Sequence, residues 1–282
     1  MIQLILLALS LIIMIPSAPL EGFADSEIYI GILPYYAPEK IWHLYRPFIA
    51  YLNKTTGLNW DIKLYHSYEA LAEGICNGEV SIAYLGPYTF GIAYERCKVR
   101  PLIVVLGEDG MPYYRSIIFT TDKGISSVKE IKGKTFAFGD RDSTSSFIIP
   151  RKILEDNGIT LDMIKPLFLK SHEKIIEAVA TNNAIAGATK VSVFEKFRNL
   201  GFKTLEISDP LPHHCFCAAS IGNDIEKRFV RAMLKLKPLN NPKDRDLMKN
   251  WDPELQHGFT FPPFDYIKRI SELHKLYRKY SD

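Results

Sequence analysis

No sign of charge dominates this chain of 282 residues. Lys and Arg number 35 against 32 Asp and Glu, a net charge of +3, and the basic residues are scattered. That excludes the electrostatic footprint of a nucleic-acid binder. Only the stretch from His274 to Tyr280 is locally basic, which reads as a solvated helix end. There is no sequence repeat and no low-complexity tract. No G-x-S-x-G elbow is present to build a strained serine nucleophile. Cysteines are scarce, four in all: Cys76, Cys97, Cys215 and Cys217.

Those four permit disulfides in an oxidising compartment, with three possible connectivities. Cys76 and Cys97 flank one strand and the helix after it, and are the pair to test first. His213-His214-Cys215-Phe216-Cys217 has the look of a metal motif. Zinc sites usually draw on two separated ligand pairs, and no second pair exists here. The alternation suits a strand after Pro212 that sends Cys215 and Cys217 to one face. The expectation is no metal and no cofactor.

What is present begins with an apolar run, Leu4 to Ile15, broken only by Ser10. It has the length of a signal-peptide core and is short for a membrane span. Small residues Gly22 and Ala24 suit cleavage after Ala24. The usual Lys or Arg before the run is missing, and no cysteine follows it for lipidation. The expectation is an exported, periplasmic protein with residues 1–24 removed, or a tethered one if they are retained.

The remainder, at 47% hydrophobic content overall, can bury one large or two medium cores. Strand and helix patterns alternate throughout, which predicts an α/β fold with largely parallel sheets. The spacing predicts strands at 28–33, 60–65, 80–85, 102–107, 115–121, 134–138, 167–169, 184–188, 204–207 and 215–220. Helices are expected at 41–55, 68–77, after Gly86-Pro87, and near 127–131. Further ones follow at 143–157, 172–181, 191–200, 224–235 and 263–280, with 237–260 less regular.

The stretch Phe136 to Phe147, FAFGDRDSTSSF, carries the most chemistry. A strand meets a turn, and four hydroxyl residues, Ser143, Thr144, Ser145 and Ser146, then open a helix. A helix N-terminus has unsatisfied N–H groups and partial positive charge, so it suits an anion. Hydroxyls also cap helices, which accounts for one or two of them. The residues alone leave capping and oxyanion binding both open. Three further strand-to-helix loops have the same geometry: Ser67-Tyr68, Gly86-Pro87-Tyr88 and Ser171-His172. In open α/β sheets such loops gather at the carboxyl ends of strands, where ligands bind. Tyr113 and Tyr114 follow Gly110-Met111-Pro112 and could close the shared cleft.

With those motifs in view, the chain resembles the phosphate/phosphite/phosphonate substrate-binding proteins of ABC importers. The resemblance runs from about Ile28 to Ile221. It rests on GILPYYAPEKIW (31–42), SYEAL (67–71), YLGPYTFGIAYE (84–95), GEDGMPYYRSIIF (107–119), the long STSS segment (131–159) and SHEKIIEAVA (171–180), in that order. It implies a type II periplasmic-binding-protein fold, two α/β lobes joined by two crossover strands with the ligand cleft between them. Lobe one would be 26–115 plus 210–282, and lobe two 116–209. The family's oxyanion-holding positions match Ser143, Thr144, Ser145, Tyr68, Tyr114 and His172. Tyr88, Ser146 and His214 are further candidates for ligand contact that no oxyanion-holding position of the family matches. Members that bind aminoalkylphosphonates place acids against the ligand's ammonium group. Here Val193 or a neighbour, Ala186 and His214 stand near those positions.

The resemblance thus implies a cleft stripped of carboxylates and a small oxyanion without an amine: phosphite, phosphate or a short alkylphosphonate. Its partner would be an ABC permease, the protein itself a monomer. A sensor that signals to a membrane receptor such as a histidine kinase is the alternative reading. An enzyme on the same fold ranks third.

Overall fold

The computed structural model describes residues 27–219 and 223–280. The signal segment expected at residues 1–24, and its cleavage after Ala24, lie outside the described residues. The chain opens with β1 (Ile28–Ile32), α1 (Pro38–Thr56), β2 (Trp60–Leu64), α2 (Tyr68–Cys76), β3 (Ile82–Leu85), α3 (Pro87–Cys97) and β4 (Arg100–Val105). A short strand, β5 (Tyr113–Tyr114), leads into β6 (Ser116–Thr120), β7 (Thr135–Phe138), α4 (Ile149–Asp156), β8 (Lys165–Phe168), α5 (His172–Ala180), β9 (Ala186–Lys190), α6 (Val191–Lys196) and β10 (Lys203–Ile207). The return runs through β11 (Leu211–Pro212), β12 (Cys215–Ala218), α7 (Asn223–Leu234), α8 (Pro242–Met248), β13 (Phe259–Thr260) and α9 (Tyr266–Tyr280).

Local chemistry sets many of these boundaries. Pro38 sits in the first turn of α1, where its missing N–H costs nothing, and Gly57 ends that helix in the left-handed conformation at φ 68°. Ser67 and Ser171 cap α2 and α5 by accepting the N–H groups of Ala70 and Lys174. Pro87 opens α3.

The strands form two large sheets. The first has the order β13-β4-β12-β3-β1-β2 and the second β10-β6-β9-β7-β8. They are mixed rather than largely parallel. β1 pairs in parallel with β2 and β3, and β7 with β8 and β9. The chain that crosses into the second sheet must come back, however. On its return β12 enters the first sheet between β3 and β4, antiparallel to both. β6 and β10, the strands entering and leaving the second sheet, are antiparallel to their neighbours too. The β5–β11 pair marks the double crossing, Tyr114 facing Leu211.

Each sheet is covered on both faces. Phe48, Trp60, Phe216 and Trp251 form one core of the first sheet, and Leu71, Phe90, Cys215 and Cys217 another. The second sheet packs Phe136, Phe138 and Phe147 on one side and Phe119, Ile175 and Phe194 on the other. Burying each such aromatic ring stabilises the fold by about 2–3 kcal/mol. Helix α9 belongs to both units. Its Tyr266 and Ile270 pack with the first sheet, whereas Leu273, Tyr277 and Tyr280 pack with the second. The segment 237–260 is more regular than its sequence suggests, since it supplies α8 and β13. Helix α9 starts at Tyr266, three residues later than the apolar pattern at Pro263 indicates. The 191–200 helix breaks after Lys196 into a separate short turn, Arg198–Leu200.

Cys76 and Cys97 are joined by a disulfide, with Cα atoms 5.6 Å apart. Cys215 and Cys217 are buried free thiols in the core of the first sheet.

Candidate functional site

The single helix expected at 143–157 is broken at its start, and that break shapes the site. From Thr144 to Ile148 the turn is of the wide, π type: Ile148 N–H donates to Ser143 O at 3.1 Å, five residues back. Such turns are rare and recur at functional sites. Regular α-helix resumes at Ile149.

The four hydroxyls have separate roles. Ser143 is the cap, its Oγ accepting the N–H of Ser146 at 3.2 Å and the hydroxyl of Ser146 at 2.6 Å. Thr144 Oγ1 bonds the phenol of Tyr277 on α9. The Ser145 carbonyl accepts from Ser116 Oγ of β6 at 2.6 Å, which ties the turn to the second sheet. Ser145 Oγ has no partner among the described residues. Capping and an open donor therefore coexist in one turn.

This turn lines a cavity of about 170 Å³. Sites for drug-sized ligands run to roughly 300–1,000 Å³, so the space suits a ligand of few heavy atoms. The structure brings all nine residues singled out in the sequence to that one cavity. Ser143 to Ser146 come from the turn after β7, Tyr68 from the start of α2, and Tyr88 from the start of α3. Tyr114 comes from β5, His172 from the start of α5, and His214 from the loop before β12. These are loops at strand ends and helix starts, where N–H groups and positive dipole ends converge.

Burial keeps the donors neutral. Tyr68 and Tyr114 are pushed above their ordinary values, first by burial, so both phenols keep their protons. His172 Nδ1 lies 2.8 Å from Thr189 Oγ1, which orients the ring and leaves Nε2 as its remaining polar atom. Its pKa is lowered to about 4, by burial and then by the Lys190 charge, so the imidazole is neutral. His213 is lowered to about 3 and His214 well below its usual value, both chiefly by burial.

The expectation of a cleft stripped of carboxylates does not hold. Glu108, Asp140, Asp142, Glu173 and Glu254 all line the cavity. Asp142 is pushed up by burial and by Asp140. Glu254 lies in the segment that looked irregular in sequence, where nothing marked it. Burial works to raise its pKa, but the paired Lys190 ammonium holds it well below the usual carboxylate range. It forms an ion pair with Lys190, a residue equally unmarked in sequence. Lys190 ends β9, which runs parallel to β7, and the rule that ligands gather at strand carboxyl ends was the signal pointing there.

His213, His214 and Glu254 each offer a ligand atom within 4.8 Å of the others, the spacing of a metal cluster. The Lys190 ammonium already occupies the Glu254 carboxylate, and a divalent ion would have to displace it. The Cys215 and Cys217 thiols of the sequence motif point into the core of the first sheet instead.

Comparison with known proteins comes to the same place. The chain is 28% identical over 183 residues to the phosphate-import protein PhnD of Mycolicibacterium smegmatis, 61% of this chain and 57% of that relative. It thus spans little more than half of the relative's length. Among solved structures, a binding protein component of an ABC phosphonate transporter from Pseudomonas aeruginosa superposes with a TM-score of 0.74 at 19% identity, covering 91% of this chain and 88% of the other. PhnD1 from Prochlorococcus marinus, solved with methylphosphonate, gives 0.73 at 17% identity, covering 90% and 97%. The fold is that of the two-lobed type II periplasmic binding proteins. Residues 30–260 match the family described as "ABC transporter, phosphonate, periplasmic substrate-binding protein", and the chain belongs to that family.

Proposed function

We propose that this protein captures a small phosphorus oxyanion outside the cytoplasm and delivers it to an ABC permease. Phosphite, phosphate and short alkylphosphonates are the ligands of choice. The observation that supports this best is the wide hydroxyl turn opening into a small cavity beside Tyr68, Tyr114 and His172. Neutral hydroxyl, phenol and imidazole donors with helix-start N–H groups stabilise an anion without demanding a matching set of cations. Ser143, Thr144 and Ser145 hold the oxygens, with Tyr68, Tyr114 and His172 closing around them. Tyr88, Ser146 and His214 complete the lining.

Thermal unfolding in the presence of phosphate, phosphite, methylphosphonate, 2-aminoethylphosphonate, sulfate and selenate tests the reading. A ligand that binds only the folded state stabilises by about 2.7 kcal/mol at a hundred times its Kd. The expected result is a raised melting temperature with a phosphorus oxyanion and little change with sulfate. A flat panel across all the phosphorus compounds would overturn it.

A further inference from the structure

Lys190 is 8% exposed, and its ammonium group bonds Glu254 Oε1. The pair joins the end of β9, in the second sheet, to the turn before β13, in the first. Glu254 Oε2 is engaged as well: it accepts the Tyr84 hydroxyl at 2.9 Å and lies 3.6 Å from His214 Nδ1. Both oxygens of this cavity carboxylate are therefore committed. The other acids are in different settings. Glu108, Asp140 and Glu173 are exposed, so water screens any cation near them. Asp142 is half-buried, as Glu254 is, but it is engaged by the Tyr88 hydroxyl.

A ligand with an ammonium group would need a shielded carboxylate. To reach Glu254 it would have to displace Lys190 and strand a buried cation, which is costly. We propose that Lys190 is a specificity-determining residue: by occupying Glu254 it admits oxyanions with a neutral substituent or none and rejects those that carry an ammonium group. This rests on the oxyanion reading above. It also explains how a cavity lined by acids rejects an amine: the shielded acid is occupied rather than missing.

Calorimetry with methylphosphonate and 2-aminoethylphosphonate tests it on four proteins: wild type, Lys190→Met, Lys190→Gln and the double variant Lys190→Met/Glu254→Gln. The readout is the ratio of the two affinities. Wild type should favour methylphosphonate by roughly tenfold or more, the scale of a lost charged hydrogen bond. Lys190→Met frees Glu254 and should shift the ratio at least about tenfold toward 2-aminoethylphosphonate. Removing the carboxylate in the double variant should cancel that gain. Lys190→Gln, uncharged and one bond shorter, supplies the same comparison if the Met variant does not fold. Equal affinities in wild type, an unchanged ratio in a folded Lys190 variant, or a gain that survives Glu254→Gln would each overturn the inference. If wild type binds methylphosphonate while the ratio stays fixed, only the role of Lys190 falls. If wild type binds neither compound nor any other phosphorus oxyanion, the function reading falls with it.

Discussion

Thr144, the second residue of the hydroxyl turn, shares a hydrogen bond with Tyr277, 133 positions further along in the last full turns of the chain. The contact ties the cavity wall to helix α9. A hydroxyl has one proton to give and two lone pairs. If Tyr277 donates, Thr144 keeps its proton for a ligand oxygen. Thr144→Ala is then expected to weaken oxyanion binding by roughly 1–3 kcal/mol. Tyr277→Phe should weaken it less, since Thr144 retains its donor. Titration calorimetry on both variants checks the order, and equal affinities for wild type and Thr144→Ala would make the turn a cap alone.

Gly139 sits where any side chain meets the turn. A Cβ there would lie 2.7 Å from Ser146 Cβ and 2.0 Å from Ser146 Oγ. Gly139 N–H also donates to Ser146 O at 2.9 Å, so neither partner can move away freely. Gly139→Ala should push Ser146 off its bond to Ser143, cost about 1–3 kcal/mol of stability and lower oxyanion affinity. Urea denaturation and calorimetry read the two effects, and an unperturbed variant would show that the turn is loosely held.

The Cys76–Cys97 disulfide links residues 21 apart and staples α2 to the end of α3. Replacing both with serine should reduce stability by about 3 kcal/mol through the freer unfolded chain. Neither cysteine lines the cavity, so oxyanion affinity at low temperature should hold. Denaturation midpoints with and without reductant provide the measurement.

Acid should destabilise the protein before carboxylates dominate. His172 at about 4 and His213 at about 3 both fall below the unfolded value near 6.5, and His214 is lowered as well. Their contribution is full above pH 6.5 and is lost as pH falls, because the unfolded chain takes up protons that the folded one refuses. Asp252, pushed up to about 7 by burial and Glu254, acts in the opposite sense over the same window. Three histidines outweigh one aspartate. The expected loss is about 2 kcal/mol or more between pH 6.5 and 5. Urea titrations at several pH values measure it, and stability that rises across that interval would contradict the burial of these rings.

Much of the fold was legible because it is local. The Ser67, Ser171 and Pro87 helix starts and the Gly57 stop depend on neighbours within four residues, and the structure places them as the pattern indicates. The sheet directions were not legible. Nothing in Cys215–Ala218 says that it inserts between β3 and β4. An apolar run looks the same in parallel and antiparallel pairing. The π turn was hidden too, since Ser143 to Asn157 has an ordinary helical period and only the 3.1 Å bond from Ile148 to Ser143 reveals the wide start.

The sequence by itself determined the hydroxyl run, the helix starts that gather around it and the family to which the chain belongs. Those follow from short-range propensities and from motif order. The tertiary structure alone decided what each hydroxyl is bonded to and that Glu254 is paired. Thr144 meets Tyr277 across 133 positions, and Lys190 meets Glu254 across 64. Partnerships over such separations are set by how two sheets and a bridging helix pack, which no local pattern of residues encodes.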